Sequence, residues 1–217
     1  MLKPNPAFEQ FSRRTKETLF RPWKGTIYRV TTLKYAGART ILFGEGSYQN
    51  GGRWNAIGSF RAVYGSTNDV VALAESKANA EYANLAYPFR ETRLLVAVDV
   101  VLSRVVDLTV VETLETLGVT EEELQQEDWR KVQGQGFESF TQALGRAVFA
   151  AKGEGLAARS ARVEKGTNMA YFPQNKQRGS KVRLWEAQEL RDLGLADQQI
   201  SMQICMLNCL LITPLKN

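Results

Sequence analysis

Residues 92–102, TRLLVAVDVVL, constrain the fold of this chain more than any other stretch. They are almost continuously apolar and rich in β-branched side chains, so a strand built from them must be covered on both faces. That predicts a place in the middle of a sheet, with residues 104–108, RVVDL, following as a separate core strand. Residues 25–31, GTIYRVT, alternate in polarity and give a further strand with Tyr28 and Arg29 on opposite faces. Helical patterns are interleaved with these strands. The longest, over residues 69–83, has Asn68 or Asp69 as N-cap and Val70, Leu73, Ala74 and Ala78 as its buried stripe, with Glu75 beside that stripe. Helices are also predicted over 109–117, over 120–126 behind a T-x-x-E start, and over 137–152, ending at Gly153. Short strands are expected over 61–66, before a turn around Ser160, after the loop that follows it with a stop at Pro173, and from Val182 onward. Phe8, Phe11, Leu19 and Phe20 mark an amphipathic N-terminal piece that packs against the core. The fold class is therefore α+β, a mixed β-sheet core with flanking helices.

Several kinds of function are excluded by what the sequence lacks. There is no histidine, which removes Ser-His and Cys-His nucleophile pairs, His-ligated zinc and imidazole acid-base catalysis together. GEGSYQ and GQGFES both lack the third glycine of a dinucleotide fingerprint, and no Walker A sequence is present. Cys205 and Cys209, four apart in the apolar run ISMQICMLNCLLI, read as packing residues and a reduced pair; that run itself suits a buried strand or a buried helix. The 28 basic and 23 acidic residues give +5, a mild preference for anionic ligands without a nucleic-acid-binding stripe. No segment approaches the ~18 unbroken apolar residues of a membrane span and none resembles a signal peptide, so a cytoplasmic protein is expected. At 217 residues and 44% hydrophobic, the chain suits one domain over 1–217.

Residues 44–75 look built around a ligand. Glycines at 44, 46, 51, 52 and 58 allow tight turns and close backbone approach; Trp54 and Tyr64 offer flat surfaces; Arg53 and Arg61 offer forked donors for phosphate. Taken alone, Arg29 reads as a solvated strand arginine, Glu75 as a solvated helix glutamate and Ser160 as a turn hydroxyl.

Together they carry a resemblance. YRV with Tyr28 and Arg29, then GGRWN with Arg53, Trp54 and Asn55, then VYGS with Tyr64, then ALAE ending at Glu75, then GLAARSA with Ser160, then NMAYFP occur in the order of the RES-domain family. That family is named for an arginine, a glutamate and a serine, matched here by Arg29, Glu75 and Ser160 over a core of about residues 25–173. Arg159 is a departure, standing where the family pattern has a proline. The resemblance implies a fold like that of ADP-ribosyltransferase toxins and an enzyme that consumes NAD as substrate, with no cofactor and no metal. It further implies the toxin half of a toxin-antitoxin pair, restrained by an Xre-type antitoxin with which it can oligomerise.

On that implication Arg29, Glu75 and Ser160 are catalytic, while Tyr28, Arg53, Trp54, Asn55 and Tyr64 bind substrate. Breaking the nicotinamide–ribose bond creates an oxocarbenium-like ribose, which a carboxylate stabilises, and nicotinamide leaves without needing a general acid. Phosphate or water would take the ADP-ribose. A transferase acting on a protein is less favoured, because arginine-modifying toxins often carry a second acid two residues before the glutamate, where Leu73 stands here. A non-catalytic nucleotide-binding module would keep the arginines without needing Glu75.

Overall fold

The structure is a computed structural model that describes residues 2–32, 35, 37–83, 93–185 and 211–212. Its centre is the long apolar strand. β3 (Arg93–Asp107) runs antiparallel to β1 (Phe20–Thr32) along its whole length, from Thr32 opposite Arg93 to Phe20 opposite Val106. The expected break between two strands is absent, since β3 passes straight through Ser103 and Arg104. Glu154 explains why: its Oε2 accepts from the backbone amides of Ser103 and Arg104 at 2.7 and 3.1 Å, and from Ser103 Oγ at 2.8 Å. Those amides are satisfied, so the polar pair need not leave the sheet.

The other edge of β3 is shared. β7 (Leu211–Ile212) and β6 (Lys181–Leu184) pair with it antiparallel, and β4 (Gly155–Arg159) pairs with its last residues in parallel. β4 then pairs with β5 (Thr167–Tyr171), β5 with β2 (Val63–Ser66), and β2 with β1 where Tyr28 faces Ser66. Because β1 also pairs with β3, five strands close into a ring.

Strand alternation splits the interior in two. Leu156, Ala158 and Ala170 join one cluster with Phe11, Leu108, Leu117, Leu144 and Phe172, while Ala157, Met169 and Tyr171 join Ile27, Leu94, Val98 and Val100 in the other. The first cluster is covered by helices. α1 (Ala7–Arg14) buries Phe11, whose ring meets Phe140 edge-on at 5.0 Å. The N-terminal arm is fastened by Glu138, which takes two bonds of 2.7 Å from Arg146 and one of 2.9 Å from the Asn5 amide, with the Arg146 guanidinium 3.5 Å above the Phe8 ring. The expected packing of the N-terminal aromatics is seen.

Helices α2 (Ala38–Phe43) and α3 (Glu45–Asn50) lie where the sequence predicts no helix. They meet at Gly44, whose φ of 72° and close approach to the Ala62 backbone admit only glycine. α4 (Asp69–Tyr82) is capped by Asn68 as expected, but its stripe is rotated: Val71, Ala72 and Ala80 are buried and Val70 is 62% exposed. The helix packs its first turn on the β4–β5 turn, with Val71 so near Gly166 that a Cβ there would lie 2.8 Å away. α5 (Val111–Leu117) and α6 (Glu121–Gln126) follow, α6 with a Thr120–Glu123 capping box. An unforeseen α7 (Trp129–Gly134) is capped by Asp128, and α8 (Phe140–Ala150) starts at a Ser139–Gln142 capping box, three residues later than predicted. Among the described residues no helix is long and apolar enough to cross a membrane. Cys205 and Cys209, and most of the C-terminal apolar run, lie outside the described residues.

Candidate active site

Glu75 projects from the inner face of α4, one turn past Val71, and meets the β4–β5 turn. Its Oε1 accepts from Ser160 Oγ at 2.8 Å and from Asn168 Nδ2 at 2.7 Å. Ser160 Oγ in turn accepts from the amides of Arg162 and Val163 at 3.1 and 3.3 Å. Those two donors occupy its lone pairs, so the hydroxyl proton is directed at the carboxylate. One side chain thus closes the turn and holds Glu75. Arg159, in place of a proline, leaves this turn intact: its Nη1 reaches Thr167 Oγ1 at 3.3 Å, and the Ser160 amide donates to the Gly166 carbonyl at 2.8 Å.

Asn168 was not among the sequence candidates. Its Oδ1 accepts from Ser66 Oγ at 2.7 Å while its amide holds Glu75, so β2, β5 and α4 are tied through one side chain. The signal was present, since Asn168 opens NMAYFP and the register sets it opposite Ser66. With Oε1 doubly bonded, Glu75 Oε2 has no partner among the described residues, and the side chain is only partly buried. A fixed carboxylate with one open oxygen is what a polar or cationic reacting group would meet.

Arg29 lies on the same strand face as Ile27. Its Nε and Nη1 are sealed from solvent and have no hydrogen-bond partner among the described residues, and burial pushes its pKa down to about 10, which leaves it cationic at neutral pH. The side chain as a whole is only partly buried, but two sealed and unpaired donors are costly unless an anion completes them. Tyr28, on the opposite face, is half-buried beside Ser66 and Ala97. No hydrogen bond joins either residue to Glu75.

GGRWN folds as a brace, and this corrects the expectation that Trp54 and Asn55 line the pocket. Trp54 is 3% exposed in the helix-covered core, and Asn55 is fully buried, donating to the carbonyls of Ser47 and Phe60 at 2.9 and 3.0 Å. Tyr64, expected to offer a stacking surface, belongs to the same brace by its hydroxyl, which accepts from the Trp54 amide at 2.9 Å and donates to Asn55 Oδ1 at 2.8 Å. Burial pushes its pKa up, so the phenol stays protonated. Gly52 is required because a Cβ there would lie 2.4 Å from that hydroxyl. Arg53 alone turns outward to the site. Its Nη1 donates to the Leu124 carbonyl at 2.6 Å; burial lowers its pKa, opposed first by Glu75 and then by Glu127, which puts it within electrostatic reach of Glu75. Arg61 is engaged elsewhere, in an ion pair with Glu45 at 3.0 Å.

A mixed sheet closed through β1 and β3, flanking helices and a glutamate held at a strand turn define an α+β protein. The RES domain model matches residues 26–193, and the chain belongs to the RES-domain family. It is 32% identical over 138 residues to the proteins named NAD(+) phosphorylase MbcT from Mycobacterium bovis and Mycobacterium tuberculosis, covering 62% of this chain and 72% of theirs. The fold is similar to that in the crystal structure of the M. tuberculosis MbcT-MbcA toxin-antitoxin complex, with a TM-score of 0.63 at 23% identity over 82% of this chain and 88% of that one.

Proposed function

We propose that this chain cleaves NAD between nicotinamide and ribose and passes the ADP-ribose to phosphate or water. The observation that carries the reading is Glu75, fixed through Oε1 by Ser160 and Asn168 with Oε2 open. In the reaction the C1′–N bond breaks, and its electron pair goes to the nicotinamide nitrogen, which becomes neutral. Positive charge develops on the ribose, where Glu75 Oε2 hydrogen-bonds a ribose hydroxyl and its carboxylate stabilises the oxocarbenium. A phosphate oxygen then forms the new C1′–O bond, giving a 1-phosphorylated ADP-ribose; with water the attacking oxygen loses a proton and free ADP-ribose results. Ser160 and Asn168 hold the carboxylate in place, and Arg29 supplies unpaired donors for a substrate phosphate.

The relatives named NAD(+) phosphorylase MbcT support this chemistry, and the MbcT-MbcA complex supports a protein partner that restrains it. We read the chain as the toxin of a toxin-antitoxin pair acting in the cytoplasm, with an antitoxin of the Xre type. Incubating the purified protein with NAD, with and without phosphate, tests the reaction: free nicotinamide is expected, together with a phosphorylated ADP-ribose when phosphate is present. Expression alone should deplete NAD and arrest growth, and co-expression of the partner should restore both. NAD left intact by folded, partner-free protein would overturn the reading.

A further inference from the structure

Three arginines beside Glu75 lie within electrostatic reach of one another, and two of them belong to no motif read from the sequence. Arg130, on α7, donates through Nη2 to Asn79 Oδ1, one helical turn past Glu75 on α4. Its guanidinium also packs against the rings of Tyr82 and Trp129, 4.8 and 4.4 Å from their centroids. Arg162 follows Ser160 by two residues and donates its backbone amide to that hydroxyl, leaving an exposed side chain. Arg53 is pinned to the Leu124 carbonyl, and the neighbouring Gln125 reaches the Ser160 carbonyl at 3.4 Å, so α6 and α7 are drawn onto the site.

These cations are held together against their own repulsion. Burial lowers the pKa of both Arg53 and Arg130; Arg162 lowers each further, and Arg53 acts likewise on Arg130. Glu127 and Asp128 offset part of that repulsion, but each is hydrogen-bonded to a helix start. Glu127 accepts from the amides of Phe140 and Thr141 at the start of α8, and Asp128 accepts from the Lys131 amide at the start of α7. Among the described residues none of the three arginines forms an ion pair with a carboxylate. Two forked donors oriented in advance, Arg130 by rings and a side-chain amide and Arg53 by backbone carbonyls, with the exposed Arg162 beside them, suit a group with several anionic oxygens.

We propose that Arg53, Arg130 and Arg162 form a phosphoryl-binding rim beside Glu75, separate from Arg29. Its ligand is a phosphate or diphosphate, supplied either by the substrate's own diphosphate or by inorganic phosphate as acceptor. The choice between those sources rests on the NAD-cleaving reading; the anion site itself does not.

The test uses the full chain with Arg130→Gln, Arg162→Gln and the double variant, all checked for folding by circular dichroism, and Arg130→Lys as a charge-keeping control. Calorimetric titration with inorganic phosphate and with pyrophosphate should show binding to wild type that weakens by roughly tenfold per arginine removed, and less for Arg130→Lys. In turnover, a raised KM for NAD assigns the rim to the substrate diphosphate, whereas a raised KM for phosphate at saturating NAD assigns it to the acceptor. A folded double variant with unchanged anion affinity and unchanged KM values overturns the proposal while leaving NAD cleavage standing. Anion binding that is lost in the variants, from a wild type that never consumes NAD, would sustain the rim and sink the NAD reading.

Discussion

Asn168 offers a sharp comparison, because an isosteric change and a truncation there should act in an order opposite to their resemblance to the native side chain. It donates to Glu75 Oε1 at 2.7 Å and accepts from Ser66 Oγ at 2.7 Å. Asn168→Ala removes one of the two donors that hold the carboxylate. A hydrogen bond to a charged group is worth about 1.5–3 kcal/mol, so turnover should fall by roughly tenfold to a hundredfold if the loss is felt in the transition state. Asn168→Asp keeps the shape and the Ser66 bond but sets a second carboxylate against Glu75. Two unit charges about 4 Å apart repel by about 4 kcal/mol at an effective dielectric constant near 20. Either Glu75 moves away or the pair takes up a proton, and both outcomes remove the placed anion. The aspartate variant should therefore be slower than the alanine variant by up to a further thousandfold. The assay is the initial rate of nicotinamide release from NAD, with circular dichroism and Tm confirming that both variants fold. An aspartate variant as active as the alanine variant, both folded, would refute the geometry assigned to Glu75.

Three other outcomes follow from particular side chains. Arg29→Met should raise KM for NAD by about tenfold or more, because two unpaired donors are lost, yet should raise Tm, because a partly buried cation with two sealed, unpaired donors is removed; a lowered Tm with unchanged KM would contradict this, and Arg29→Lys should recover only part of the binding. Tyr64→Phe should lower stability by about 1–3 kcal/mol in denaturant unfolding, since the Trp54 amide and Asn55 Oδ1 both lose their partner; an unchanged midpoint would argue against the brace. Glu154 is fully buried, and although burial opposes its charge, hydrogen bonds from Gln177 and Ser103 hold its pKa below the usual value. Its contribution is therefore complete above the unfolded carboxyl pKa and is lost as pH falls through the lower folded value. Glu154→Gln should cost about 2–3 kcal/mol at neutral pH, with the gap to wild type closing below about pH 4.3, and a gap independent of pH would contradict it.

The strands were legible where composition alone decides them. The β3 run and the alternating residues of β1 are apolar enough that only a covered sheet accommodates them, and the order of motifs picked out Glu75 and Ser160, which the fold joins by a 2.8 Å bond. What a motif does not reveal is which way its residues face. Trp54 and Asn55 sit in the same pentapeptide as Arg53, but the positive φ of Gly51 and the contact of Gly52 with Tyr64 turn them into the core and leave Arg53 outside. The stripe of α4 was misplaced for a related reason. Val70 and Val71 are indistinguishable by hydrophobicity, and only the cap at Asn68 and the packing on Gly166 select Val71. Ser103 and Arg104 read as a strand break because their acceptor, Glu154, lies fifty residues away in sequence. Asn168 and Arg130 escaped notice because their partners come from other elements, which the sheet register and the α7 docking bring together.

The measurement closest to the central claim is the rate at which purified, partner-free protein releases nicotinamide from NAD, compared with a folded Glu75→Gln variant. The amide keeps the size of the side chain but loses its charge and turns one acceptor oxygen into a donor. Wild type should turn NAD over, and the variant should be slower by about a hundredfold or more, roughly 3 kcal/mol of transition-state stabilisation. Equal rates in the two proteins would contradict the role given to Glu75.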